Sequence, residues 1–94
     1  MAIHVVRISL AARKGLRKVP PQVLDKFEVW VDSVERDSLE QTRMIPGYHD
    51  EPLHGSRKAQ RSIRLNRNYR AIYEIVEVGQ LEIVSVEEVN KHDY

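Results

Sequence analysis

The stretch EPLHGSRKAQRSIRLNRNYRAIY, residues 51–73, carries the pattern that decides the fold. Ile63 and Leu65 alternate with Ser62, Arg64 and Asn66, while Ala71, Tyr73 and Ile75 alternate with Arg70 and Glu74. Period two on both sides of Asn66, Arg67 and Asn68 predicts two strands joined by a short hairpin loop. A three-residue loop sets Leu65 opposite Tyr69, Ile63 opposite Ala71 and Arg64 opposite Arg70. Like charges directly opposed destabilise a strand pair. A phosphate bridging the two guanidiniums would replace that repulsion with charge-assisted hydrogen bonds, so the register itself points to an anion site.

Charge in the same stretch points the same way. Between His54 and Arg70 stand Arg57, Lys58, Arg61, Arg64, Arg67 and Arg70 with no acid among them. These cations are candidate phosphate-binding groups, with a solvated basic face as the plainer alternative. Immediately upstream, Pro52 biases Glu51 towards extended backbone, which projects its carboxylate from the chain. His49 and His54 flank Asp50 and Glu51, but neither a third ligand at zinc spacing nor an HExxH motif is present, so no metal site is expected.

Working outward towards the N-terminus, Ser38 with Gln41 resembles a capping box and predicts a brief helical segment near 39–44. Val23, Leu24, Phe27, Trp30, Val31 and Val34 form one stripe of a helix over 21–36, opened by Pro20-Pro21, with Asp25, Glu28, Asp32 and Glu35 on its far face. Ala12, Leu16 and Val19 mark a helix over 11–18 whose other face carries Arg13, Lys14 and Arg17. The β-branched run at residues 2–9 predicts a first strand, in which His4 reads as structural. Towards the C-terminus, Gly79 separates a strand at 69–77 from a last one at 81–89. The expected architecture is an α+β domain of order β-α-α-β-β-β, two helices packed on one face of a small mainly antiparallel sheet, residues 1–94 forming a single domain.

Ninety-four residues suffice for one thin core. The absence of cysteine excludes disulfides, a thiolate nucleophile and Cys-based zinc sites, which allows a reducing cytoplasm. No apolar run approaches the roughly 20 residues of a membrane span, and the N-terminus lacks a signal-peptide pattern. Net charge is only +1, yet its distribution is uneven. Residues 1–24 hold Arg7, Arg13, Lys14, Arg17 and Lys18 without an acid, whereas residues 25–51 hold eight acids against three bases. A protein that coats nucleic acid indiscriminately is not expected to be so nearly neutral.

Three motifs in order, Glu51-Pro52-Leu53-x-Gly55, Tyr69-Arg70-Ala71-Ile72-Tyr73 and the terminal Asn90-Lys91-His92-Asp93-Tyr94, resemble the RelE/ParE toxin superfamily, nearest its RelE/YoeB branch. The resemblance implies a cytoplasmic toxin that cleaves messenger RNA within the ribosome, without metal or cofactor, and that a cognate antitoxin restrains. It assigns Glu51 as general base, Arg70 as the cation that stabilises charge on the phosphate, His92 as the acid that protonates the leaving oxygen and Tyr94 as a substrate-orienting group. Arg64 joins them from the cross-strand register. The basic helix face, Arg13, Lys14, Arg17 and Lys18, is the expected contact for ribosomal RNA or an acidic antitoxin segment. Within the same superfamily, a ParE-like gyrase inhibitor and an inactive antitoxin-binding module are the alternatives.

Overall fold

Aliphatic periodicity, two prolines and a few capping hydroxyls account for most of the architecture. The computed structural model describes residues 3–91, ordered as β1 (Ile3–Ile8), α1 (Leu10–Leu16), α2 (Pro21–Arg36), α3 (Leu39–Arg43), β2 (Glu51–Pro52), β3 (Gln60–Arg64), β4 (Tyr69–Val78) and β5 (Leu81–Lys91). The sheet order is β1-β5-β4-β3-β2, with β1 parallel to β5 and the remaining neighbours antiparallel. Three helices cover one face, and none of them covers the other. Compared with the expected six elements, the short third helix is a full element, and the loop before β3 contributes a two-residue edge strand. Pro52 lacks the N–H that would extend that strand's ladder.

The core follows from the α2 stripe. Val23, Phe27, Trp30 and Val34 are buried against Ile63, Leu65, Ala71, Tyr73, Val84, Val86 and Val89 of the sheet. Trp30 sits between Phe27 and Tyr73, with ring centroids 6.0 Å and 5.5 Å away. Pro21 opens α2 at its first turn, where its missing N–H costs nothing. Ser38 caps α3 by accepting from Gln41 N at 3.1 Å, and Thr42 and Ser33 share a buried hydrogen bond of 2.7 Å that ties α3 to α2.

Strand β5 bends where two residues oppose one. Ile72 pairs with Glu88 but Tyr73 pairs with Val86, leaving Glu87 as the extra residue of a bulge. The Ser9 hydroxyl donates to the Glu87 carbonyl at 2.7 Å and accepts from Ala12 N at 3.0 Å, so one side chain both caps α1 and docks it on the bulge. The hairpin register is the one the sequence implies: Ile63 opposite Ala71 and Arg64 opposite Arg70. Asn66 Oδ1 closes its loop by accepting from Asn68 N at 2.7 Å and Tyr69 N at 2.9 Å.

Candidate active site

Because side chains alternate across a strand, directly paired residues share a face. Two rows cross the open face of the sheet: Glu51, Ser62, Ile72 and Glu88, then Arg64, Arg70 and Asn90. A cleft of about 230 Å³ lies along them, lined by Glu51, Ser62, Arg64 and Arg70 together with His49, Ile63, Asn66, Arg67 and Tyr69. Strand spacing of about 4.8 Å and a rise of about 3.4 Å per residue separate the Cα atoms of Glu51 and Arg70 by about 12 Å. A carboxylate and a guanidinium reaching inward across that gap leave room for one phosphodiester.

Arg70 is half-buried, and its Nε is a buried donor with no partner among the described residues. Asn90, its neighbour on β5, has a buried Oδ1 in the same condition, while its Nδ2 donates to Glu88 at 3.0 Å. Buried donors without acceptors are rare and costly, and this guanidinium has one to offer an anion. Arg64 is exposed and makes no ion pair among the described residues. Arg67 lines the cleft from the hairpin loop.

The remaining basic residues of the 57–70 stretch go elsewhere. Arg57 pairs with Glu88 and donates from Nε to Gln60 Oε1 at 2.8 Å, closing the sheet face beside fully buried Ile72. Lys58 is exposed at the end of a 3₁₀ turn. Arg61 differs most from expectation. Its odd position in β3 turns it to the helix-covered face, where Nε donates to Asp50 Oδ1 at 2.6 Å. Burial works against its charge, but the hydrogen bond and charge of Asp50 outweigh it and hold this guanidinium above its ordinary pKa. Arg61 therefore serves a buried ion pair rather than the cleft.

Arg13, Lys14, Arg17 and Lys18 are exposed on and just after α1, in the helical layer and away from the cleft. His92 and Tyr94 lie outside the described residues. The last described residue, Lys91, pairs with Tyr69 of the cleft wall.

Two residues escaped the sequence reading in different ways. His49 was visible only as a loop histidine, yet it lines the cleft beside Glu51 with a left-handed backbone, φ 44°. Asp50 resembled one more loop acid, yet its side chain is only 1% exposed. Its Oδ2 accepts from the Tyr73 hydroxyl at 2.5 Å, and Arg43 Nε lies 3.9 Å from Oδ1. Burial and the Asp50 carboxylate together push the Tyr73 phenol well above its ordinary pKa. A buried acid of this kind leaves no periodic signal, because only the tertiary partners reveal it. Among the described residues, no group of three or more His, Cys, Asp or Glu gathers to hold a metal.

A small α+β domain with helices on one face of a mainly antiparallel sheet is an architecture shared with known toxins. No protein-family model matches the sequence. No curated protein matches it either. Solved structures match its shape: a YoeB/ParE toxin from Agrobacterium tumefaciens (TM-score 0.73, 15% identity, covering 95% of this chain and 99% of that one) and YafQ from E. coli strain BL21(DE3) (0.71, 16%, 95% and 93%). A chain of the toxin–antitoxin complex RelBE2 from Mycobacterium tuberculosis also matches (0.64, 22%, 94% and 96%). The fold of this chain is that of the RelE/ParE toxins, including the RelE and YoeB types. YafQ is also solved in the DinJ–YafQ toxin–antitoxin complex of E. coli.

Proposed function

We infer that this protein is the toxin of a type II toxin–antitoxin system, an endoribonuclease that cuts messenger RNA in the ribosomal decoding site by metal-free acid–base transphosphorylation. The observation that carries this reading is the cleft that holds Glu51 on one wall and Arg64, Arg67 and Arg70 on the other. RNA brings its own nucleophile, so the protein has to supply a base, a cation and an acid. Glu51 takes the proton of the 2′-hydroxyl. The 2′-oxygen bonds to phosphorus, the bond from phosphorus to the 5′-oxygen breaks, and a 2′,3′-cyclic phosphate remains. Arg70, whose buried Nε has no partner among the described residues, stabilises the charge that develops on the phosphoryl oxygens. His92 returns a proton to the leaving 5′-oxygen and Tyr94 helps orient the RNA, both by resemblance. A cognate antitoxin and the ribosome are the partners this reading requires.

Glu51→Gln and Arg70→Ala test it on programmed ribosomes. Each should retain the parent's circular dichroism and lower message cleavage by about a hundred- to a thousandfold, the usual effect of removing a group that acts in the transition state. Cleavage by the parent should persist in chelator and leave 2′,3′-cyclic or 3′-phosphate ends. Inhibition of DNA supercoiling with intact message would overturn the nuclease reading in favour of gyrase.

A further inference from the structure

The edge strand that carries Glu51 is too short to hold itself in place. It comprises two residues, one of which, Pro52, has no N–H to donate, and its ladder partners are only Ser62 and Arg61. One further backbone bond follows, from Leu53 N to Gln60 O at 2.9 Å. Glu51 itself is exposed, and its carboxylate makes no hydrogen bond or ion pair among the described residues. A catalytic base held this loosely would wander, and a displacement of about 1 Å can cost about a hundredfold in rate.

The residue before it supplies what the strand lacks. Alternation turns Asp50 to the face opposite Glu51, and there its carboxylate is held at both oxygens: Oδ2 by the Tyr73 hydroxyl at 2.5 Å on β4, Oδ1 by Arg61 Nε at 2.6 Å on β3. Arg43 Nε, at the end of α3, stands 3.9 Å from Oδ1. Just upstream, buried Tyr48 lies beneath Lys26 Nζ, 5.2 Å from its ring centroid, and His49 turns the chain through a left-handed conformation into Asp50. The segment is thus fixed on its buried side and free on the side that faces the cleft.

We propose that Asp50 is a positioning residue, a buried latch that clamps the His49–Glu51 segment to β3 and β4 and so sets where the Glu51 carboxylate and the His49 ring stand in the cleft. The consequence for catalysis rests on the reading of Glu51 as the base. The latch itself does not, because it is a statement about the backbone of residues 49–53.

Asp50→Asn keeps the size of the side chain and an acceptor for Tyr73 but loses the charge that holds Arg61 and Arg43. Backbone amide exchange by NMR on the folded variant should show faster exchange at Leu53, whose bond to Gln60 closes the segment, with the amides of β4 and β5 unchanged. In the ribosome assay kcat, expressed per folded molecule with the folded fraction taken from circular dichroism, should fall about ten- to a hundredfold; loss of folded protein alone would leave that normalised rate unchanged. Tyr73→Phe, which removes one hydroxyl and leaves the ion pairs, should shift both readouts in the same direction by less, and it decides the matter if Asp50→Asn fails to fold. Unchanged exchange at Leu53 in a folded variant overturns the latch, and faster exchange with unaltered kcat in a protein that Glu51→Gln inactivates overturns its role in positioning Glu51. If Glu51→Gln remains fully active while Leu53 exchange rises in Asp50→Asn, the latch stands and the assignment of Glu51 as base falls.

Discussion

Asp50 and Glu51 are neighbours of the same chemistry with opposite surroundings, one sealed among Tyr73, Arg61 and Arg43 and the other open to the cleft. Tyr73 gives this buried arrangement a measurable pH signature. Its phenol is raised by burial and by the Asp50 carboxylate, so the fold favours the neutral hydroxyl, whereas in the unfolded chain Tyr73 ionises near pH 10. The sign follows directly: its contribution is fully present below about pH 10 and is lost as pH climbs above that value. Thermal melts should therefore show a decline above about pH 10 that is shallower in Tyr73→Phe. At neutral pH the same variant should be less stable by about 1–3 kcal/mol, because the Asp50 carboxylate loses a donor it cannot recover from water. Parallel alkaline slopes in the two proteins would contradict the role given to this hydroxyl. Sequence shows none of this, since Tyr73 reads there only as an inward strand residue and Asp50 as a loop acid. Arg61 is misread for the related reason that a count of cations does not say which face of a strand each occupies.

Helices and strands were legible wherever one side chain period persisted. The α2 stripe from Val23 to Val34 fixed both ends of that helix at Pro21 and Arg36, and period two on either side of Asn66 fixed the Arg64–Arg70 pairing. The parallel pairing of β1 with β5 was not legible, because it joins opposite ends of the chain and no local pattern encodes it. Strand β2 was hidden too, being two residues long and half proline. Close approach of elements is likewise a tertiary matter, and Gly15 shows its consequence. There α1 crosses β5 so tightly that a Cβ would stand 1.9 Å from the Val89 carbonyl oxygen. In an isolated helix Gly→Ala is stabilising by about 1 kcal/mol. Here the sign should reverse, because the obstacle is backbone in the sheet and the helix must lift off the bulge it is docked on, an overpacking that costs about 1–3 kcal/mol or more. Urea denaturation should show a lower midpoint for Gly15→Ala; an equal or higher midpoint would mean that α1 is not seated against Val89.

Across the whole molecule, charge is divided by layer. The cations of α1 and the acids of α2 belong to the helical layer, and the cleft cations Arg64, Arg67 and Arg70 line the face of the sheet that the helices leave uncovered. Of the six basic residues that made residues 57–70 stand out, Arg57 and Arg61 are paired with Glu88 and Asp50, and Lys58 stands outside the cleft. The site was therefore legible as a basic hairpin with an upstream carboxylate, but not in its true cation count. On the nuclease reading, that count governs how the protein handles free RNA. Three phosphate contacts to a single strand release counterions with a slope of about −2 in log affinity against log salt, since each contact contributes about −0.7. Raising salt from about 50 to about 200 mM should then weaken binding of a short single-stranded RNA by about twentyfold. A protein of net charge +1 has little else with which to hold the strand in the in-line geometry that attack by the 2′-hydroxyl demands. Fluorescence anisotropy of a labelled oligonucleotide, titrated at several salt concentrations with Glu51→Gln to prevent cleavage, measures the slope. Arg64→Gln should make it shallower by about 0.7. A slope near −5 or steeper would mean that the α1 cations bind the same strand, and naked RNA would then need no ribosome to position it. A slope near zero would mean that the cleft does not bind phosphate at all.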